Sequence, residues 1–421
     1  MPPSRGACCC CCAAAADGAV EPLERRYGGR LLSDPATTVP QIAAQPQLDD
    51  FELLGVLGRG SYGRVLQVRK RDTGEVFAMK VMSKTDLIRR NQIRHALTER
   101  TLLQAMQHPF IVPLCYAFQS ESSLHLILEL QAGGELFFHL RREGAFAESR
   151  VRLYAAEILL ALEALHSAGY VYRDLKPENV LLDAAGHVRL SDFGLAREAV
   201  AASDASALTF CGTPSYMAPE VLRGTGHGMP VDWWSFGTLI YEMLAGVPPF
   251  YSQNLHEMYR AILTAELGWP PRMGRAARAL LEGLLQRDPR RRLGAHGSAK
   301  IRRASFFRRV HWQRVLRRGY PPSFIPMLRG DSTDEQALDV TNFDAAFTAE
   351  DVHLEEGCDG APPASEVSHD GVHAPGGPPP GAASVSGEAQ AAAAEDAWSA
   401  FADFAPYSRE ANLAATRPSG Q

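Results

Sequence analysis

Lysine is scarce in this 421-residue chain: five Lys stand beside 38 Arg. Basic residues of either kind are missing altogether from Gly330 to Ser408, where sixteen Asp and Glu stand alone. The chain nets -5, so setting aside this -16 stretch leaves +11 for the rest. An acidic tail on a basic body is not the footprint of a nucleic-acid binder, which concentrates basic charge on one exposed face. No run of eighteen or more apolar residues exists, which excludes a transmembrane helix. The N-terminus carries one early charge, Arg5, but no long apolar stretch, so a secretory signal is not expected. A disulfide framework is absent too. Of eight Cys, five form the run Cys8–Cys12, and Cys115, Cys211 and Cys358 are scattered. Together these absences read as an intracellular, cytoplasmic and reduced protein.

What is present is a length too great for one ordinary domain and too small for three. Residues 1–49 are Cys-, Ala-, Gly- and Pro-rich and read as a disordered arm. Phe51–Leu57, Val65–Val68 and Val76–Val81 read as strands, with a turn at Asp72-Thr73-Gly74. Residues 86–106 read as helical. Val151, Tyr154, Ile158, Leu162 and Leu165 recur at helical spacing, and Val231–Leu244 is apolar nearly all round, as in a buried helix. Strands first and helices later predict an α+β chain, with a small sheet-rich lobe and a larger helical lobe. Past Asp331 the composition turns acidic, then Pro/Gly/Ala-rich, and the aromatics Trp398, Phe401, Phe404 and Tyr407 follow. No internal repeat of fixed period appears.

Four fragments carry chemistry. Gly58-Arg59-Gly60-Ser61-Tyr62-Gly63-Arg64-Val65 puts a glycine turn between two strands, a flap whose amides can close over phosphates. Alone, the same pattern also fits a tight hairpin. Lys80 lies inside an apolar strand, where an unpaired ammonium is expensive. Glu99, on the helix that follows, is its candidate partner. A chain that so prefers Arg has Lys here, where a compact point charge suits phosphate oxygens. Tyr172-Arg173-Asp174-Leu175-Lys176-Pro177-Glu178-Asn179 comes next, then Ser191-Asp192-Phe193-Gly194, then Gly212-Thr213-Pro214 running on to Ala218-Pro219-Glu220. Any one fragment is an easy coincidence; this order and spacing is not.

Across residues 51 to about 307 the sequence resembles the eukaryotic protein kinases. The resemblance implies a two-lobed fold, small lobe about 51–130 and large lobe about 133–307, with ATP and Mg²⁺ between them. It implies Asp174 as base, Lys176 on the transferring phosphoryl group, Asn179 and Asp192 as Mg²⁺ ligands, and Lys80 on the α- and β-phosphates, fixed by Glu99. Leu57, Val65, Ala78 and Leu181 would sandwich the adenine. The hinge Leu128-Glu129-Leu130-Gln131 would read its edge through the backbone. Glu220 would pair with Arg292, and Asp232 would brace the catalytic loop. These assignments suit phosphoryl transfer, which needs positioning and charge neutralisation more than covalent catalysis.

Lys176 and Thr213 resemble serine/threonine kinases, and Tyr172 before Arg-Asp resembles the AGC group. Residues 308–421 are similar to that group's C-terminal extension. Pro321–Pro326 would tether to the large lobe, Asn342–Phe347 would cross the ATP cleft, and Phe401-Ala402-Asp403-Phe404 would form the hydrophobic motif that docks on the small lobe. The linker between Phe347 and Phe401 reads as disordered. Ala405-Pro406 stands where the group usually has a phosphorylated residue. Thr209 occupies the position of the group's activating phosphothreonine, the target of an upstream activating kinase, with His95, Arg173 and Arg197 to receive the phosphate. Glu135, Glu178 and Glu242 would face substrates with upstream Arg, and Glu135 would also touch the ribose. Three ion pairs to the protein's own arginines are the plainer alternative for these carboxylates.

For Cys8–Cys12 the plain reading is a compositional accident. The functional one is S-acylation, giving membrane association. Myristoylation is excluded by Pro2. A pseudokinase scaffold is the rival to an active enzyme. Loss of Lys80, Asp174, Asn179 or Asp192 would favour it, and none is lost.

Overall fold

A computed structural model describes residues 45–60, 63–199, 212–226, 228–352 and 398–416. Cys8–Cys12, Ser61, Tyr62 and Thr209 lie outside these residues, as do residues 353–397 of the linker expected between Phe347 and Phe401.

The first strands form where short apolar runs are bounded by glycine or turn residues. They are Phe51–Gly60 (β1), Gly63–Lys70 (β2), Val76–Ser83 (β3), Leu114–Gln119 (β4) and Ser123–Glu129 (β5). They pair antiparallel in the order β1-β2-β3-β5-β4. One face buries Val56, Leu66, Val68, Met79 and Ile127, with Phe51 stacked on Phe118 at 5.8 Å. β2 opens on Gly63 opposite Met82, where any side chain would meet the Val81 carbonyl. Close backbone approach of this kind requires glycine.

Two expectations need correction here. The helix expected over 86–106 is two helices, Lys84–Arg89 (α1) and Ile93–Ala105 (α2). Asn91 separates them in a left-handed conformation, φ +53°, which Asn tolerates better than most residues. Residues 45–49, expected within the disordered arm, join the small lobe instead. Leu48–Asp50 makes one 3-10 turn, held by Gln47 N donating to Asp50 Oδ2 at 2.8 Å, and Leu48 packs on the sheet core.

The large lobe holds Leu136–Glu143 (α3), Glu148–Ser167 (α4), Pro219–Leu222 (α5), Pro230–Ala245 (α6), Leu255–Thr264 (α7) and Arg275–Leu284 (α8). Short strands sit among them: Tyr170–Val171 (β6) with Arg197–Glu198 (β9), and Val180–Leu182 (β7) with Val188–Leu190 (β8). The apolar stripe of α4, from Val151 to Leu165, is fully buried. Helix α6 is buried on all sides, including Trp233, Trp234 and Phe236. It opens on Pro230, which needs no N–H there, and stops at Gly246 with φ +86°. Among the described residues no helix is long and apolar enough to cross a membrane.

The tail then returns over both lobes. Phe324 lies 3.9 Å from the Arg150 guanidinium and 4.9 Å from the His139 ring. Asn342 Nδ2 donates to the carbonyls of Ala132 and Met327 at 3.2 and 3.0 Å, beside the hinge. Gly134, at φ +69°, leaves the room that the Asn342 carbonyl fills. Phe347 packs on the small-lobe core. Phe401 and Phe404 are buried, and Gln119 Nε2 donates to both their carbonyls at 3.0 and 3.1 Å. Burying one such ring contributes about 1.5–3 kcal/mol. Tyr407–Ser408 (β10) then pairs with β4 and becomes the sixth strand of the sheet. Two residues carry no periodicity, so nothing in the sequence announced that strand.

Candidate active site

Lys80 stands in the middle of β3, between the buried Met79 and the strand's later apolar residues. Its Nζ donates to both Glu99 oxygens at 2.8 and 2.9 Å and to Asp192 Oδ1 at 2.9 Å. Burial works against the ammonium, but Asp192 and Glu99 outweigh it and hold the lysine charged well past its ordinary range. Three elements distant in sequence, namely β3, α2 and the loop after β8, are thereby locked together. Phe193 N adds a hydrogen bond to Glu99 Oε1 at 3.2 Å. Asp192 itself has φ +50°, uncommon for a non-glycine residue, and also accepts from Gly194 N at 3.3 Å.

The loop between β6 and β7 is shaped from beneath by Asp232, the third residue of α6. Its Oδ2 accepts from Tyr172 N at 2.9 Å and its Oδ1 from Arg173 N at 2.8 Å. His166 Nε2 lies 2.7 Å from the same Oδ2. Arg173 is thereby held at φ +67°. Asp174 Oδ2 receives Asn179 Nδ2 at 2.8 Å and faces Lys176 Nζ at 3.0 Å. Burial raises the Asp174 pKa, and Lys176 and Asn179 offset it only in part. The result is a better proton acceptor than a surface aspartate.

Asn179 spends its Nδ2 on Asp174, which leaves the amide oxygen for a cation. With the Asp192 carboxylate it makes a pair of hard oxygen donors. Among the described residues no cluster of three or more His, Cys, Asp or Glu could hold a metal alone. Two protein oxygens, with phosphate and water completing the shell, is the donor set that suits Mg²⁺.

Of the expected adenine contacts, Leu57 is buried while Val65, Ala78 and Leu181 are half-buried. Val65 pairs with Lys80, Ala78 with Leu128, and Leu181 bridges to Glu135. Val65, Ala78 and Leu181 are therefore set around the hinge and Lys80. At the hinge, Gln131 Nε2 donates to the Glu129 carbonyl at 3.0 Å, a contact the sequence did not suggest. Gly58, Gly60 and Gly63 lie on β1 and β2. The side chain of Arg59, on the same glycine-rich turn, pairs with Glu350 of the tail at 2.9 Å.

Glu135, Glu178 and Glu242 come together on the other side of Asp174. Burial, followed by Glu178 and Asp344, pushes the Glu135 pKa up to about 7. Burial and Glu178 do the same for Glu242, against a hydrogen bond from the Tyr216 hydroxyl, to about 7. Glu178 is raised as well, chiefly by burial, and its Oε2 is buried without a hydrogen-bond partner. None of the three forms an ion pair among the described residues. Among the described residues, then, no arginine of the protein pairs with them.

His95, Arg173 and Arg197 also converge. Burial first, then the two guanidiniums, lower the His95 pKa. Glu220 and Arg292 form a buried bidentate pair, both contacts at 2.7 Å. The sequence reading missed His166 and Tyr216. Each acts across about 26 residues or more on a carboxylate that had been noticed, and spacing gave no sign of either.

The protein kinase domain family matches residues 51–305. A RAC family serine/threonine-protein kinase homolog of Dictyostelium discoideum is 50% identical over 311 residues, covering 74% of this chain and 68% of the relative. The serine/threonine-protein kinase gad8 of Schizosaccharomyces pombe is 47% identical over 317 residues, 73% of this chain and 54% of the relative. The human RAC-beta serine/threonine-protein kinase is 40% identical over 342 residues, 79% of this chain and 69% of the relative.

Proposed function

The chain belongs to the protein kinase domain family, as a serine/threonine kinase of the AGC group, and we propose that it is an active signalling enzyme acting on Ser or Thr downstream of arginine. The observation that carries this reading is Lys80 bridging Glu99 and Asp192 while Asp174, Lys176 and Asn179 stand assembled beside them.

In this reading Lys80 holds the α- and β-phosphates, and Glu99 keeps its ammonium in place. Asp174 accepts the hydrogen bond of the substrate hydroxyl. As that oxygen bonds to the γ-phosphorus and the bond to the bridging oxygen breaks, the proton passes to Asp174 Oδ1 or Oδ2. Lys176 balances the charge on the moving phosphoryl group. Asn179 and Asp192 would hold Mg²⁺, which when bound neutralises phosphate oxygens. The Glu135, Glu178 and Glu242 carboxylates receive the substrate's guanidinium groups, which bind carboxylates bidentately.

Thr209, once phosphorylated by an upstream kinase, would bring about -1.5 to -2 of charge to His95, Arg173 and Arg197. The two-lobed domain spans 51–307, with an arm before it and a tail from 308 onward. Acylation at Cys8–Cys12 would add membrane association. A phosphotransfer assay on a peptide with Arg two and three residues before Ser tests the reading. Wild type should turn over, and Asp174→Asn should not. Equal rates from both would overturn it.

A further inference from the structure

Between the end of α2, the loop leading to β4, the hinge and the tail lies a cavity of about 330 Å³. Apart from Glu129, it is lined by none of the residues given a part in nucleotide or peptide binding. Three guanidiniums reach it from separate stretches of chain: Arg189 on β8, Arg318, and Arg409 just past β10. Two carboxylates answer them. Glu129 is 3.2 Å from Arg189, and Asp183 pairs with Arg318 while lying 4.0 Å from Arg189 Nε. Arg409 also reaches the Cys115 thiol, whose pKa burial pushes up to about 12, so that partner carries no charge. Among the described residues Arg409 forms no ion pair with a carboxylate.

Three further observations point the same way. Arg189 is 8% exposed, and its Nε is buried without a hydrogen-bond partner. A donor so deep normally has one. Arg318 has φ +55°; the other described non-glycine residues with positive φ are Asn91 and the active-site residues Arg173 and Asp192. Strain of this kind gathers at functional sites. His108 Nδ1 accepts from Phe110 N at 3.3 Å, which puts the ring proton on Nε2. Burial and Arg189 push the His108 pKa down to about 4, so the ring is a neutral donor. The rest of the wall includes Leu103, Met106, Ile111 and Pro113.

We propose that this cavity binds a small ligand with a phosphate head and an apolar body. The guanidinium fork matches phosphate oxygens, and the volume is at the lower end of small-molecule sites. Because Tyr407 and Arg409 form one wall, the ligand and the docked tail favour each other.

The test uses the full chain with its ATP cleft saturated by Mg²⁺ and a non-hydrolysable ATP analogue. Phenyl phosphate is titrated by calorimetry, beside inorganic phosphate. Phenyl phosphate should bind at one site, more tightly than inorganic phosphate. Arg409→Gln and Arg189→Gln should each weaken it about tenfold, as expected for one charged hydrogen bond. Arg197→Gln, at the other basic cluster, should leave it unchanged. Amide exchange at Tyr407 and Ser408 should slow when phenyl phosphate is bound. If Arg189→Gln does not fold, Arg409→Gln decides alone. No binding to wild type, binding indifferent to the loss of Arg409, or equal loss in Arg197→Gln overturns the proposal. Inorganic phosphate binding as tightly as phenyl phosphate would mean an adventitious ion only, and would overturn it too.

Discussion

On one side of the cleft, Glu99 and Asp192 share Lys80 at 2.8–2.9 Å. On the other, Glu135 and Glu178 are half-buried and Glu242 is buried, yet none forms an ion pair among the described residues. The nucleotide side is closed upon itself: its carboxylates are held by the protein's own cation, so its geometry exists before substrate arrives. The proposed peptide side is left open: its carboxylates are raised by burial, and Glu178 raises both of the others. In the proposed reading, pre-formed charge positions the chemistry and withheld charge selects the substrate.

Breaking the closed side should have the largest effect. Lys80→Met leaves Glu99 and Asp192 facing each other without a cation, and Asp192→Asn removes the proposed metal ligand. Each should lower single-turnover phosphotransfer by well over about tenfold, the rate equivalent of ~1.4 kcal/mol. Turnover above about a tenth of wild type in either variant would contradict those assignments. The same closed style recurs at Glu220 and Arg292, far from the reacting atoms. Arg292→Ala there should cost about 3–5 kcal/mol in chemical unfolding, because it strands a buried carboxylate.

On the open side the sign of the stability effect should reverse. Glu242→Gln keeps the Tyr216 contact but removes a charge that burial disfavours, so the thermal midpoint should hold or rise. Its kcat/KM for an arginine peptide should fall about tenfold, the loss of one charge-assisted hydrogen bond. KM for ATP should stay as it was. Steady-state kinetics with each substrate varied in turn separates these outcomes.

The smallest effect is the pH dependence. With Glu135 and Glu242 at about 7, both carboxyls are partly protonated near neutrality. KM for an arginine peptide should therefore fall as pH rises through about 6 to 8, while that of an arginine-free peptide stays flat. Stability runs the other way. The folded protein holds these protons more tightly than the unfolded chain, so their contribution declines as pH rises from about 4.5 to about 7.

The closed side was legible in the sequence because its residues sit in short fragments of fixed chemistry. Lys80 in an apolar strand demanded a partner, and Asp174, Asn179 and Asp192 came in order. Glu99 could be named as that partner, but the Asp192 contact that completes the bridge could not. The fold was legible where periodicity ran long, as along α4 and α6. It failed where one residue decided the path: Asn91 broke a single helix into two, and β10 was too short to show alternation. The pairing of Arg59 with Glu350 was not legible either, because the two lie 291 residues apart. For Glu242 the sequence left two arrangements open and gave no sign of Tyr216, its hydrogen-bond partner among the described residues.

The account stands most directly on whether the open carboxylates wait for arginine. Paired peptides, with Arg or Ala at the third position before the acceptor, should be assayed against wild type, Glu135→Gln and Glu242→Gln as a double-mutant cycle. The account predicts that replacing the peptide arginine lowers kcat/KM at least about tenfold in wild type, and markedly less in at least one variant, with a coupling of about 1 kcal/mol or more. Equal losses in wild type and both variants would show that these carboxylates do not meet the arginine, and would contradict it.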